Sequence, residues 1–277
     1  MDKLTHRFRD AALPLEVLAT PLFDGRGRGV EDIVQIDIAK TTTRKNAGER
    51  FRIYQGHTQN RLEVLGTDQR LRQLVLFVEE PERAFELRIP KRRAAPPTDL
   101  VVLREEKRAW VVERRTSGRA RHFLCGMDEQ HLFIALLPDR VTTVDGAHAA
   151  LRPPELSRLE RSAEKPTVRQ GEWFFVAIPY AEVAEVEVLA RKSLRVRHAT
   201  GIAEAGGIRR AGRAHVADEV VVLDGVPNRL GLVERRVYVR GSVRHPDHRT
   251  VTFPSWRRAL ANREEIEAPP PGIGWID

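Results

Sequence analysis

Four histidines in the C-terminal half have the residue type and neighbours for chemistry: His198, His215, His245 and His248. An imidazole changes charge near neutral pH and offers a ring nitrogen as base, acid or metal ligand, so histidines that meet in one cleft point to hydrolysis or phosphoryl transfer. The sharpest local cluster is Arg244-His245-Pro246-Asp247-His248, two imidazoles three residues apart with a carboxylate between them. Such a segment can aim both rings at one cation. No C-x-x-C or H-E-x-x-H companion accompanies it, and proline with aspartate suits a reverse turn, so the spacing predicts a turn and no metal site. No cofactor is expected either, because the chain has no Walker loop and no G-x-S-x-G elbow. Linear sequence does not show which histidines are neighbours in space. Convergence around one cavity favours catalysis, and dispersal over the surface favours a binding role.

The second chemical concentration is cationic. Between residues 191 and 213, Arg191, Lys192, Arg195, Arg197, Arg209, Arg210 and Arg213 stand against one acid, Glu204. Gly201, Gly206, Gly207 and Gly212 lie among them and allow backbone to approach a phosphate closely. The stretch serves equally as a loop that closes on a polyanion or as a solvated surface loop. The formal charge of +8 raises the expectation of RNA or DNA as partner. The leading expectation is therefore a basic nucleic-acid-binding or accessory protein, with Arg191, Arg195, Arg197, Arg209, Arg210 and Arg213 on backbone phosphates. The alternatives are the histidine-dependent enzyme, with the four histidines as acid, base or ligands, and a structural or assembly protein.

Cys125 is the only cysteine, which excludes an internal disulfide. In a strand from His122 to Cys125 the two side chains project from opposite faces, so the spacing predicts a buried, inert thiol and no Cys–His pair. The repeat Asp24-Gly25-Arg26-Gly27-Arg28-Gly29 reads as a connector. The Pro-rich tail, residues 267–277, can dock on a protein partner or pack back on its own domain.

These residues need a scaffold, and the pattern predicts an α+β protein, mainly antiparallel sheet with a few short helices. Short apolar runs at 33–38, 51–54, 62–65, 74–78 and 85–89 are separated by turn-rich spacers. Runs at 122–124 and 132–137 bracket the turn GMDEQ as a hairpin, and GEWFFVAIPY supplies the aromatic anchor of a second core. Val183 to Leu189, with valines between glutamates, reads as a strand, and Asp145 as the cap of a short helix. Lys91 to Asp99, with its adjacent prolines, marks a boundary between a strand-rich module at 1–92 and an α+β module at 99–266. Composition is 41% hydrophobic and 31% charged, with no apolar run of spanning length and no secretory signal, so a cytoplasmic protein without membrane contact is expected.

Overall fold

The computed structural model describes residues 2–22, 32–41, 48–91, 101–163, 165–191, 196–208, 213–227 and 233–264. Among them are four sheets and five helices, and the α+β architecture expected from the spacing of short apolar runs is the one observed. No helix among the described residues is long and apolar enough to cross a membrane.

The N-terminal half begins with α1 (Asp2–Asp10), whose Leu4 and Phe8, four residues apart, share one buried face. Phe8 meets Phe51 edge to face at 5.5 Å. Beneath α1 lies a three-stranded sheet in which β1 (Leu15–Leu18) runs parallel, and β2 (Gln35–Thr41) antiparallel, to the central β3 (Gly48–Tyr54). A second sheet has the order β10 (His131–Leu136), β9 (Arg119–Asp128), β5 (Gln73–Glu80), β4 (Arg61–Asp68). Its β5, QLVLFVEE, is buried on both faces. Leu74, Leu76 and Val78 enter a core with Phe8, Phe51 and Ile53, while Val75 faces Val144, Ala147 and Leu151 of α2 (Val144–Leu151). That double burial explains an apolar run without clean alternation. The predicted hairpin around GMDEQ is β9–β10. A third, small sheet consists of β6 (Arg83–Pro90), β8 (Ala109–Thr116) and β7 (Val101–Glu105).

The expected boundary, Lys91 to Asp99, lies outside the described residues except for Lys91. Strands on its two sides share a ladder, β5 with β9 and Leu74 opposite Cys125, so the sheets group residues 15–136 together and 168–261 together.

The second group is one six-stranded sheet: β11 (Val168–Gln170), β12 (Trp173–Ala177), β16 (His248–Ala261), β15 (Val233–His245), β14 (Val216–Pro227), β13 (Val196–Gly201). The aromatic anchor splits across it. Trp173 and Phe175 enter one core with Val237 and Val239, and Phe174 packs with Leu156 and Leu159 of α3 (Leu156–Ser162).

Three local expectations are corrected. Val183 to Leu189 belongs to a helix, α4 (Tyr180–Arg191), not a strand. Its valines alternate with glutamates, yet Val183, Val186, Leu189 and Ala190 also recur at three- and four-residue spacing, and that face packs on Val221, Tyr238 and Trp256. The cap of α2 is Thr143, whose hydroxyl accepts from the Gly146 amide at 3.1 Å; Asp145 sits in the first turn. The basic stretch is not one loop, since its described part holds the end of α4, β13 and the short α5 (Ile202–Gly206). Cys125 is fully buried, as its strand position predicts, and burial pushes its thiol pKa up.

Candidate metal centre

Three of the four predicted histidines converge. The β15–β16 hairpin closes through Pro246 and Asp247, which places His245, the last residue of β15, opposite His248, the first of β16. The turn predicted from proline and aspartate is therefore real, and it is also what brings the two imidazoles together. His215 immediately precedes β14, the neighbour of β15, and its carbonyl is tied to the Ile202 amide at 2.9 Å. Ring centroids lie 4.2 Å apart for His215 and His245, 4.8 Å for His245 and His248, and 5.4 Å for His215 and His248. One ring nitrogen from each lies within 4.8 Å of the other two.

Burial and hydrogen bonding distinguish the three rings. The His215 side chain is 1% exposed, and neither of its nitrogens has a hydrogen-bond partner; Nδ1 lies 3.3 Å from Glu172 Oε1, outside hydrogen-bonding geometry. His248 Nδ1 is also buried without a partner. His245 is engaged at both ends: Nδ1 accepts from the Asp247 amide at 3.2 Å, and Nε2 faces the Arg213 carbonyl at 3.2 Å. A buried imidazole without partners costs about 1–3 kcal/mol, a cost that a bound cation would offset. Burial, reinforced by His215 and His248, moves the His245 pKa down, and burial does the same for His248 against the opposing pull of Asp128, Glu129 and Glu172. Both shifts favour the neutral imidazole, the form a metal ligand needs, though in His245 the Nδ1 lone pair is taken by the Asp247 amide.

The fourth wall is backbone. Gly171 sits in the turn between β11 and β12 at φ 55°, and a Cβ there would lie 2.7 Å from His248 Nε2 and 3.2 Å from His215 Nε2. Glycine thus fits both the left-handed conformation and the space beside the two nitrogens. Gln170 holds this turn over β16 through a bond from Nε2 to the Arg249 carbonyl at 2.6 Å. Glu172 Oε1 accepts from Trp173 Nε1 at 2.8 Å, which directs the carboxylate at His215.

The hairpin tip also leans on the N-terminal half. Glu129, in the β9–β10 turn, accepts the Arg249 amide at 2.8 Å, and Asp247 lies 3.8 Å from Lys40 Nζ and 3.9 Å from His131 Nε2. Glu49 gathers the same groups, with His131 Nδ1 at 2.9 Å and the Leu132 amide at 2.6 Å. Burial alone would raise the Glu49 pKa, but these bonds and Lys40 outweigh it and hold the carboxyl below its ordinary value.

The remaining predicted residues are elsewhere. His198 is exposed on β13 opposite Glu219 and is not part of the trio. Arg191, Arg197 and Arg213 are exposed, whereas Arg195, Arg209 and Arg210 lie outside the described residues, as do the Gly-Arg repeat and the C-terminal tail. Arg197 shares a cleft with Glu204, Asp224 and Arg235, a surface of mixed sign. Gly171 and Glu172 carried no signal in sequence, since their place beside the histidines depends on β11 and β12 folding back along β16. Searches of protein-family models, curated proteins and solved structures returned no match to this chain.

Proposed function

We propose that this is a metal-binding protein in which His215, His245 and His248 hold one divalent transition-metal ion. The observation that carries the reading is the buried His215, with no hydrogen bond at either nitrogen and a carboxylate beside Nδ1, inside a group of three imidazoles. Imidazole suits zinc, copper, iron and nickel, and three histidines with one open position form a recurrent zinc arrangement. At a metal–nitrogen distance of about 2.0–2.1 Å, tetrahedral ligand nitrogens sit roughly 3.3 Å apart, so a trio within 4.8 Å must contract. Contraction requires His245 to release one of its two hydrogen bonds, at about 1 kcal/mol, against an ion-binding free energy on the order of 10 kcal/mol.

This reading reverses the expectation of no metal and rests on a variant of the enzyme alternative. Sequence-tolerant phosphate binding by exposed Arg191, Arg197 and Arg213 has their solvent exposure in its favour, but the acids around Arg197 interrupt a continuous basic surface. The test is elemental analysis together with zinc titration of chelator-treated protein. One equivalent per chain, lost in His245→Ala and in His248→Ala, is the expected result. Absence of stoichiometric binding by zinc, copper, nickel and iron would refute the reading.

A further inference from the structure

The turn between β11 and β12 brings consecutive residues to the two ends of the His215 ring. At one end is space. A Cβ on Gly171 would lie 3.2 Å from His215 Nε2 and 2.7 Å from His248 Nε2, so the two Nε2 atoms border one volume that the glycine leaves clear. At the other end is a carboxylate, with Glu172 Oε1 3.3 Å from His215 Nδ1. Glu172 is not itself in the ligand group, since among the described residues no carboxylate joins the three imidazoles.

The fold fixes where that carboxylate stands. Its Oε1 accepts from Nε1 of Trp173, which is buried in the core with Phe175, Val237 and Val239. The Glu172 carbonyl accepts the Asn262 amide at 2.8 Å, and on the other side of the glycine Gln170 Nε2 donates to the Arg249 carbonyl. An imidazole that binds a metal through one nitrogen carries its proton on the other, and an acceptor beside that second nitrogen sets the tautomer and the ring orientation. His245 has an acceptor of this kind in the Arg213 carbonyl, 3.2 Å from its Nε2. For His215, the most buried of the three rings, the group in that place is Glu172. Closing the gap to the roughly 2.7–2.9 Å of a bond to a carboxylate is a movement smaller than the contraction that an ion demands of the trio.

Resting on the metal reading above, we propose that Glu172 is the positioning residue of this centre: it accepts a hydrogen bond from His215 Nδ1–H and so leaves the Nε2 lone pair to the ion in the space beside Gly171. The carboxylate also makes the ring a stronger base, which strengthens its bond to a cation. The anchoring indole keeps the acceptor in place while the imidazoles close on the ion.

The test uses the full-length protein and zinc alone. Zinc affinity, measured by competition with a chromophoric chelator, should fall about 10–100-fold in Glu172→Ala, the usual cost of losing such a partner. Glu172→Gln keeps an acceptor oxygen at the same reach and should recover part of the loss, which a role in packing alone would not predict. Long-range proton–nitrogen NMR of the zinc-loaded, histidine-labelled wild type supplies a readout that needs no variant at 172: His215 should be protonated at Nδ1 and metal-bound at Nε2. Zinc bound through His215 Nδ1, or Glu172→Ala with the affinity of the wild type, overturns this proposal and leaves the metal reading standing. A wild-type protein that binds neither zinc nor copper, nickel or iron overturns both.

Discussion

Replacing Gly171 with alanine tests the metal centre without touching a ligand. The substitution acts in two ways that a control can separate. At φ 55° an added Cβ is strained by about 1–2 kcal/mol whatever space surrounds it. Gly207, which ends α5 at φ 65°, has the same backbone demand, and a Cβ there meets only the Nη1 end of Arg235, a flexible side chain. Without metal, Gly171→Ala should therefore lose at least as much stability as Gly207→Ala, since its Cβ also crowds the rings of His248 and His215. They diverge when zinc is added, because the Cβ at 171 lies 2.7 Å from His248 Nε2 and 3.2 Å from His215 Nε2, where ion and ligands must fit. At a free zinc concentration of 100 times Kd, binding to the native state alone contributes about 2.7 kcal/mol. For a chain of this size that corresponds to a rise in Tm of about 5–10 °C. Thermal unfolding followed by circular dichroism, with zinc and with chelator, should show that rise in the wild type and in Gly207→Ala and little or none in Gly171→Ala. A full zinc-induced rise in Gly171→Ala would show that the ion, if bound, is not held beside the glycine, and the geometry argued above would fail.

Two further perturbations address the scaffold. Glu49→Gln should lower stability at pH 7 by about 1–3 kcal/mol, since the carboxylate bonds to His131, Leu132 and Lys40. Because its folded pKa is held below the ordinary value, this contribution is present above the unfolded pKa near 4.5 and is lost as pH falls through the folded one. Urea unfolding should therefore separate wild type from Glu49→Gln at pH 7 and bring them together at the acid end; an equal gap at both ends would refute the assignment. Arg257 is buried, burial moves its pKa down, and its Nε has no hydrogen-bond partner, so Arg257→Met should be neutral or stabilising in the same assay. A loss above about 1 kcal/mol would show that the guanidinium is better solvated than its single bond to the Pro166 carbonyl implies.

Features written into contiguous residues were legible in the sequence. The β9–β10 hairpin, the β15–β16 turn and the aromatic β12 follow from apolar runs and turn residues that lie side by side. α4 was misread because a valine–glutamate alternation satisfies period two, while the three-residue recurrence that actually packs is equally present. α1 was missed because its apolar face is only Leu4 and Phe8 within a charged segment, and its burial depends on Phe51 far along the chain. The site divided in the same way. His245 and His248 could be read as a pair, but His215 reaches them only through the lateral pairing of β14 with β15, opposite which Arg244 meets Val216.

That lateral pairing also explains why an H-x-x-H segment without a companion motif is a poor guide to metal binding in a sheet protein. On a helix, ligands at three- or four-residue spacing share a face, and the motif is visible as such. Where the strands of a sheet end, two ligands come from one turn and the third from whichever strand lies next in space, at a sequence distance fixed only by loop length. Here that distance is 30 residues, from His215 to His245. The same geometry shifts the weight carried by the basic stretch. Of the described cations between 191 and 213, Arg213 is the one whose own carbonyl contacts the trio, through His245, whereas Arg197 lies across mixed charge beside Glu204 and Asp224. On the metal reading, position relative to the three imidazoles carries more weight than charge concentration along the chain.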